Sequence, residues 1–145
     1  PALPAHFSDR LPRRGIAGLL LFTASFLALA WLGRVAAALA PGAIPALDNT
    51  TSMFIQVMDL GIVVPVCVLS AVLLLRRRPW GYLLASVGLL KFLTLGIAVS
   101  LMGLNMARVG APISAVQVGV FLALALANVV MVFFLLRNVT EEGAY

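Results

Sequence analysis

Three ionisable residues, Arg34, Asp59 and Lys91, stand inside long runs of apolar residues. If those runs lie in lipid, each charge at the bilayer centre costs roughly 2.5–3.5 kcal/mol on insertion scales. Ionisable residues in such positions typically face a bundle interior or a water-filled cavity, pair with one another and serve ion, proton or substrate pathways. Each is therefore a candidate functional residue whose partner depends on its depth.

Depth along the helix axis matches Arg34 to Asp59. Each lies about six residues from the outer end of its apolar run, which places both in the outer leaflet at a rise of ~1.5 Å per residue. An ion pair between them is expected. Lys91 lies about twelve residues, or roughly 18 Å, from the outer end of the third run. Its flexible stem could reach up toward Asp59, or its amine could become neutral on desolvation.

Further polar residues recur at intervals that put them on one face of each predicted helix. Gln117 and Asn128 are eleven residues apart, which is close to three full turns. Gln56 precedes Asp59 by one turn. Such stripes can be hydrogen-bonding contacts between helices, or they can line a hydrated path or ligand cavity, and both alternatives stay open. The candidate intramembrane polar site comprises Arg34, Gln56, Asp59, Lys91, Gln117 and Asn128.

Pro65 interrupts the second apolar run. Proline has no backbone N–H, so the carbonyl of Gly61 loses its helical hydrogen bond and a kink is expected at this point. Together with Asp59, the freed carbonyl could form an opened backbone site for a cation or a polar headgroup. Neighbouring groups can also satisfy such a carbonyl in a membrane helix, and this structural interpretation is the favoured one.

The elements that must position these residues are four long apolar segments. Hydrophobic residues form 63% of the 145-residue chain and charged residues 10%, whereas soluble domains carry about 45–50% and 25%. Lipid is therefore the expected solvent. Short connections make consecutive helices antiparallel. The sequence predicts an all-α transmembrane up-down bundle of four helices, at about 15–40, 53–75, 80–104 and 113–136.

The distribution of cations orients this single four-helix domain, 1–145. Seven arginines lie in the flank 1–14, in the connection 76–78 and at Arg137, against two on the other side. Cytoplasmic loops carry the excess of Lys and Arg. We therefore expect a multi-pass membrane protein, with the flank 1–14 and the tail 137–145 both cytoplasmic. The net charge of +5 then points to anionic headgroups of the lipid bilayer, and nucleic acid is not an expected partner.

Residues that commonly hold metals or cofactors are scarce. Cys67 is the sole cysteine and His6 the sole histidine, so the sequence has no Cys/His cluster with metal-ligand spacing. Haem ligation within the membrane by a histidine pair is excluded for this chain alone. We expect no metal, no cofactor and no catalytic residue.

The segments around the intramembrane charges carry a resemblance. They read Asp59-Leu-Gly-Ile-Val-Val-Pro65, Arg76-Arg-Arg-Pro-Trp-Gly-Tyr82 and Lys91. This pattern resembles the C-terminal half of a family of uncharacterised prokaryotic polytopic integral membrane proteins. The resemblance covers most of the chain and implies that it is part of a longer protein, whose N-terminal half would be its partner. It implies a prokaryotic inner membrane as the location, but no activity and no site residues.

Three hypotheses about function follow from these patterns. The first is a non-enzymatic transport, channel-like or lipid-binding module with a polar bundle interior. The alternative is a structural or assembly subunit of a membrane complex, in which small residues such as Gly96 and Ala123 dock on another copy, as in a homo-oligomer, or on a partner. The third and least favoured is a lipid-modifying membrane enzyme. Its candidate acid–base pair is Asp59 and Lys91, which are offset by roughly 9 Å in depth.

Overall fold

Four long helices make up most of the protein. The computed structural model describes Phe7 and residues 10–42, 52–110 and 115–139, apart from the side chains at 115 and 117. All four helices are long and apolar enough to cross a membrane, so the chain is a multi-pass integral membrane protein and the predicted all-α four-helix bundle is confirmed. The helices are α1 (Arg13–Ala38), α2 (Phe54–Leu75), α3 (Pro79–Arg108) and α4 (Ala115–Arg137).

Packing follows the order of the chain. Helix α1 packs against α2, α2 against α3 and α3 against α4, whereas α1 meets α4 over a short stretch alone. Large apolar side chains such as Leu29 and Phe54 are exposed on the outside, as expected where lipid is the solvent. The most completely buried apolar residues form one continuous core and include Ile16, Leu20, Ala71, Leu74, Ala85 and Leu89.

A tight turn joins α2 to α3. The Arg77 N–H donates to the Leu74 carbonyl at 3.0 Å and the Arg78 N–H to the Leu73 carbonyl at 2.9 Å, which is the double hydrogen bond of a Schellman motif. Just beyond the turn, Gly81 lies directly on α2. A Cβ atom at this position would collide with the backbone of Leu73 and Leu74. The hairpin can close because residue 81 has no side chain.

Glycine also permits close contact between α3 and α4. A Cβ atom at Gly96 would lie 3.0 Å from the Cβ of Ala125, so the contact leaves no room for a side chain. By contrast, Gly119 faces open space and Ala123 is exposed. Gly81 and Gly96 of α3 therefore serve contacts within the chain. Gly119 and Ala123 of α4 instead face outward.

The irregularity in α2 is a π-helical turn. The helix is α-helical over Phe54–Met58, π-helical over Asp59–Val63 and α-helical again over Val64–Leu75. The Val64 N–H donates to the Asp59 carbonyl, five residues back instead of four. This wider turn ends next to Pro65, which cannot donate a backbone hydrogen bond. Gly61 and Pro65 themselves lie on the exposed surface of the helix.

Candidate functional site

A hydrogen bond between α1 and α2 joins two polar residues in the half of the bundle away from the start of α1. Trp31 Nε1 donates to Asp59 Oδ2 at 2.8 Å, and Asp59 is the first residue of the π-helical turn. Gln56 is 8% exposed and lies one turn before Asp59. Arg34 follows Trp31 by one turn and is half-buried. The structure thus places three predicted site residues near one contact between the helices.

Asp59 accepts a hydrogen bond from Trp31, a residue that matching by depth did not single out. Matching by depth paired Asp59 with Arg34. Trp31 and Arg34 are three residues apart and so share a helix face, and this spacing is the signal that could have identified the indole. The Arg34–Asp59 ion pair stays a prediction.

Lys91 occupies a different environment from Asp59. Its side chain is exposed and lies at the edge of a lateral groove of about 120 Å³, which is formed by α1, α2 and α3. Buried Cys67 and Ser70 line the same groove. Lys91 is therefore a surface cation of α3 at the edge of this groove.

Asn128 is 2% exposed, which makes it the most deeply buried of the predicted polar residues whose side chains the structure describes. Its Nδ2 donates to the Leu124 carbonyl at 2.9 Å, and it lines a small cavity that Thr23 of α1 also lines. Gln117 lies within α4, and its side chain is outside the part of the chain that the structure describes.

Several other polar side chains bond to their own helices. Ser70 donates to the Val66 carbonyl at 2.6 Å and Ser100 to the Gly96 carbonyl at 2.7 Å. Ser86 bonds in the same way one turn back along α3. These hydroxyls neither link helices nor point into a shared aqueous path. Within the described residues, the polar groups of the interior form separate sites.

The arginine-rich end of the bundle brings the two chain flanks together. Phe7 forms an isolated backbone bridge with Val139 and stacks on Tyr82, with ring centroids 5.0 Å apart and an angle of 26° between planes. Arg13 Nη1 donates to the Tyr82 hydroxyl at 3.3 Å. The start of α1, the start of α3 and the residues after α4 therefore meet at one end.

A pocket lined by arginines opens at this end. Its volume is about 420 Å³, and three of its six lining residues carry a guanidinium. The first turn of α1 contains no acidic residue and its N-cap makes no side-chain hydrogen bond, so the positive end of the helix dipole adds to the local potential. We call this the basic pocket, defined by Leu11, Pro12, Arg13, Arg14, Leu75 and Arg77.

Arg77 adopts a backbone conformation that is unfavourable for residues other than glycine. Its φ is 54°, in the left-handed region, at the position of the Schellman motif where glycine is usual. Its side chain lines the basic pocket. Residues held in sparsely populated backbone regions cluster at functional sites, and this one contributes a cation to the pocket.

The arrangement of the basic pocket is suited to a phosphate-bearing anion. Guanidinium groups bind phosphate oxygens in a two-pronged geometry, and three arginines are among the described residues that line the pocket. In the sequence, these arginines indicated the orientation of the helices alone. The signal for a site was the pairing of cations at the start of one helix and the end of the next, which an antiparallel hairpin brings together.

A metal centre does not explain the polar residues and the basic pocket, and comparisons with known proteins assign them no role. In the described ranges, no three residues among His, Cys, Asp and Glu come together as metal ligands. Comparisons with protein-family models, curated proteins and solved structures found no match to this chain. The function must therefore be argued from the geometry.

Proposed function

We propose that the protein is a lipid-binding membrane protein that holds the headgroup of an anionic phospholipid in the basic pocket. The observation that carries the proposal is the convergence of Arg13, Arg14 and Arg77 around one cavity of about 420 Å³. The three side chains come from two separate segments of the chain. The antiparallel packing of α1 and α2 supports their meeting at the same end of the bundle.

A lipid suits this pocket better than a free anion does. The pocket lies where α1 begins and α2 ends, at the depth where a phospholipid phosphate would sit beside spanning helices. Leu11 and Leu75 supply apolar lining next to the cations. Acyl chains could then follow the exposed apolar faces of the helices toward the bilayer centre.

Lipid binding is favoured over the transport and channel-like alternatives. Those alternatives need polar groups that follow one another across the membrane. The hydroxyls of Ser70, Ser86 and Ser100 instead bond to carbonyls of their own helices. The basic end would face the cytoplasm of a prokaryotic inner membrane, where anionic lipid attracts juxtamembrane cations.

The test is lipid binding by variants with fewer pocket cations. Purified protein in phosphatidylcholine nanodiscs would be titrated with phosphatidylglycerol, and bound lipid would be counted by native mass spectrometry. Arg14→Gln and Arg77→Gln should each weaken binding about fivefold, because one basic residue near an anionic surface contributes about 1 kcal/mol.

Arg108→Gln is the matched control. It removes the same charge at the opposite end of α3, far from the pocket, and should leave phosphatidylglycerol binding unchanged. Equal losses in all three variants would mean that net charge alone attracts the lipid. Unchanged binding in Arg14→Gln and Arg77→Gln would overturn the proposal.

A structural or assembly role is the second candidate, and one observation favours it. An open apolar groove of about 360 Å³ lies along α1 and α4, on the side where these helices pack loosely. Ala123, which is exposed, lies in its wall. Small exposed residues allow another helix to approach closely, and a second copy of the chain would fit such a groove.

A further inference from the structure

Lys91 lies near the middle of α3, far from both ends of the helix. It follows the first residue of α3 by twelve positions and precedes the last by seventeen, which correspond to roughly 18 Å and 26 Å along the axis. The 30-residue helix is about 45 Å long, the thickness of a bilayer with its headgroups. Lys91 is therefore placed in the hydrocarbon region of the membrane.

The ammonium group of Lys91 has no carboxylate partner in the described part of the chain. Lys91 is exposed, and Asp59 is the one acidic residue among the described residues. Asp59 accepts a hydrogen bond from Trp31, and the structure gives it no ion pair with Lys91. The other four acidic residues fall outside the four spans in the sequence. A carboxylate that meets Lys91 in the hydrocarbon region therefore has to come from another molecule.

The lateral groove beside Lys91 is otherwise apolar along its open rims. Its volume is about 120 Å³, and Lys91 is the one charged residue among the lining residues that the structure describes. The exposed rims are formed by Ile62 and Val66 of α2 and by Val87 of α3. Val87 precedes Lys91 by four residues, so the two share a helix face. The groove thus offers an apolar surface with a single cation at one point.

The shape of the lateral groove suits a helix. Gly88 of α3 is half-buried in its wall, and a Cβ atom there would meet the Leu20 side chain at 3.5 Å. Small residues on a membrane helix let a neighbouring helix approach closely. Helices that dock in grooves place apolar side chains along the groove. The charged position then selects the partner and fixes its register.

We propose that the lateral groove docks a transmembrane helix of another membrane protein, and that this helix carries a glutamate or aspartate at the depth of Lys91. Each charge alone is costly in the hydrocarbon region, and a charge-assisted hydrogen bond between them offsets part of that cost. The lateral groove shares no lining residue with the basic pocket or with the groove between α1 and α4. The inference is therefore independent of the proposed lipid binding.

Charge and depth favour such a helix over the other occupants. A second copy of this chain would offer Asp59 as its only acidic residue within a span. Asp59 is half-buried, accepts from Trp31 and is offset from Lys91 by roughly 9 Å in depth. A two-fold axis along the membrane normal would keep that offset. A phospholipid fits less well, because its phosphate lies in the headgroup layer.

Energy transfer to synthetic transmembrane helices tests the proposal. Two leucine–alanine helices would each carry a dansyl group and would differ by one glutamate or glutamine at the depth of Lys91. In phosphatidylcholine vesicles, Trp31 and Trp80 of the protein serve as energy donors. The glutamate helix should bind the wild type about fivefold more tightly than the glutamine helix, because a hydrogen bond between two charged groups is the stronger one.

Three variants separate the charge from its position. Lys91→Met keeps a long side chain without the charge and should bind both helices equally, whereas Lys91→Arg should retain the preference. The double variant Leu90→Lys with Lys91→Leu is the matched control. It moves the cation to an exposed neighbour that is absent from the groove lining, and it should lose the preference. All three change exposed side chains, and equal unfolding midpoints in detergent would verify the fold.

Several results would overturn the proposal. Equal binding of the glutamate and glutamine helices by the wild type would do so directly. A preference that survives in the double variant would show that a cation at this depth is sufficient without the groove. Loss of the preference when phosphatidylglycerol is added to the vesicles would assign the groove to an anionic lipid. A wild-type dimer that Lys91→Met converts to a monomer, as measured by light scattering, would assign it to a second copy.

Discussion

At the scale of single residues, Arg77 has the clearest conflict between residue type and backbone. The left-handed conformation costs an L residue about 1–2 kcal/mol, and glycine avoids that cost. The chain nevertheless places an arginine there, with its side chain in the basic pocket. A contribution to binding would explain why a less stable residue occupies the turn.

Arg77→Gly should therefore separate stability from lipid binding. We expect the free energy of unfolding to rise by about 1 kcal/mol, since the left-handed strain is removed. Phosphatidylglycerol affinity should fall about fivefold with the lost cation. Thermal unfolding in detergent and native mass spectrometry of bound lipid measure the two quantities on the same sample.

Arg76→Gly provides the matched comparison. Its φ is −80°, so glycine there gains no conformational relief and adds backbone entropy to the unfolded chain. This variant should lose stability, and because Arg76 is absent from the pocket lining it should retain most of its phosphatidylglycerol binding. Equal behaviour of the two glycine variants would remove the special role of residue 77.

Residue partners are the part of the structure that spacing predicted least well. Depth matched Asp59 to Arg34 of α1, and Asp59 does accept a hydrogen bond from α1, at Trp31. Depth did not single out the indole of Trp31, one turn from Arg34, as a hydrogen-bond donor to this carboxylate. For Asn128, the eleven-residue spacing indicated a polar position, but the unpaired oxygen depends on the packing of α1 against α4.

At the scale of elements, the α2–α3 hairpin depends on one position without a side chain. Gly81→Ala would drive a methyl group into the backbone at Leu73 and Leu74. We expect a loss of about 1–3 kcal/mol, the usual range for an overpacked contact, seen as a lower unfolding midpoint.

Gly88→Ala is the control on the same helix. A Cβ there would lie 3.5 Å from Leu20 Cδ2, which is ordinary van der Waals contact. Since alanine favours helix by up to about 1 kcal/mol over glycine, this variant should be neutral or more stable. If the Gly81→Ala protein were as stable as the Gly88→Ala protein, residue 81 would not lie directly against the backbone of α2.

The sequence predicted the positions of the helices more accurately than it predicted the internal geometry of α2. Long apolar runs bounded by arginines and prolines gave the four spans to within about one turn, because bilayer thickness sets their length. Pro65 indicated an irregularity in α2 but not its form. Whether a helix kinks or widens to a π turn depends on which carbonyls its neighbours can satisfy, and one sequence segment does not contain that information.

At the scale of the whole molecule, the loose contact between α1 and α4 leaves an apolar surface to cover. If a second copy covers it, Ala123→Leu should block close approach and shift the protein toward monomer. Size-exclusion chromatography with light scattering in detergent would measure the change. Ala98→Leu enlarges an exposed alanine on α3, outside the groove, and should leave the oligomer intact.

A monomeric wild type would count against self-assembly. In that case the groove between α1 and α4 faces lipid, and Ala123→Leu should leave the mass of the protein–detergent complex unchanged. Either result bears on the assembly role alone, because the groove and the basic pocket share no residues.

The bridge between Phe7 and Val139 has a consequence for biosynthesis. Phe7 leaves the ribosome first of the two, yet its backbone partner is made only after the last helix. Contacts between distant parts of a chain form late, because loop closure must precede them. Insertion of α4 would then be the event that fixes the first flank against Tyr82 and completes the arginine-rich end. A nascent chain truncated before α4 should lack that closure.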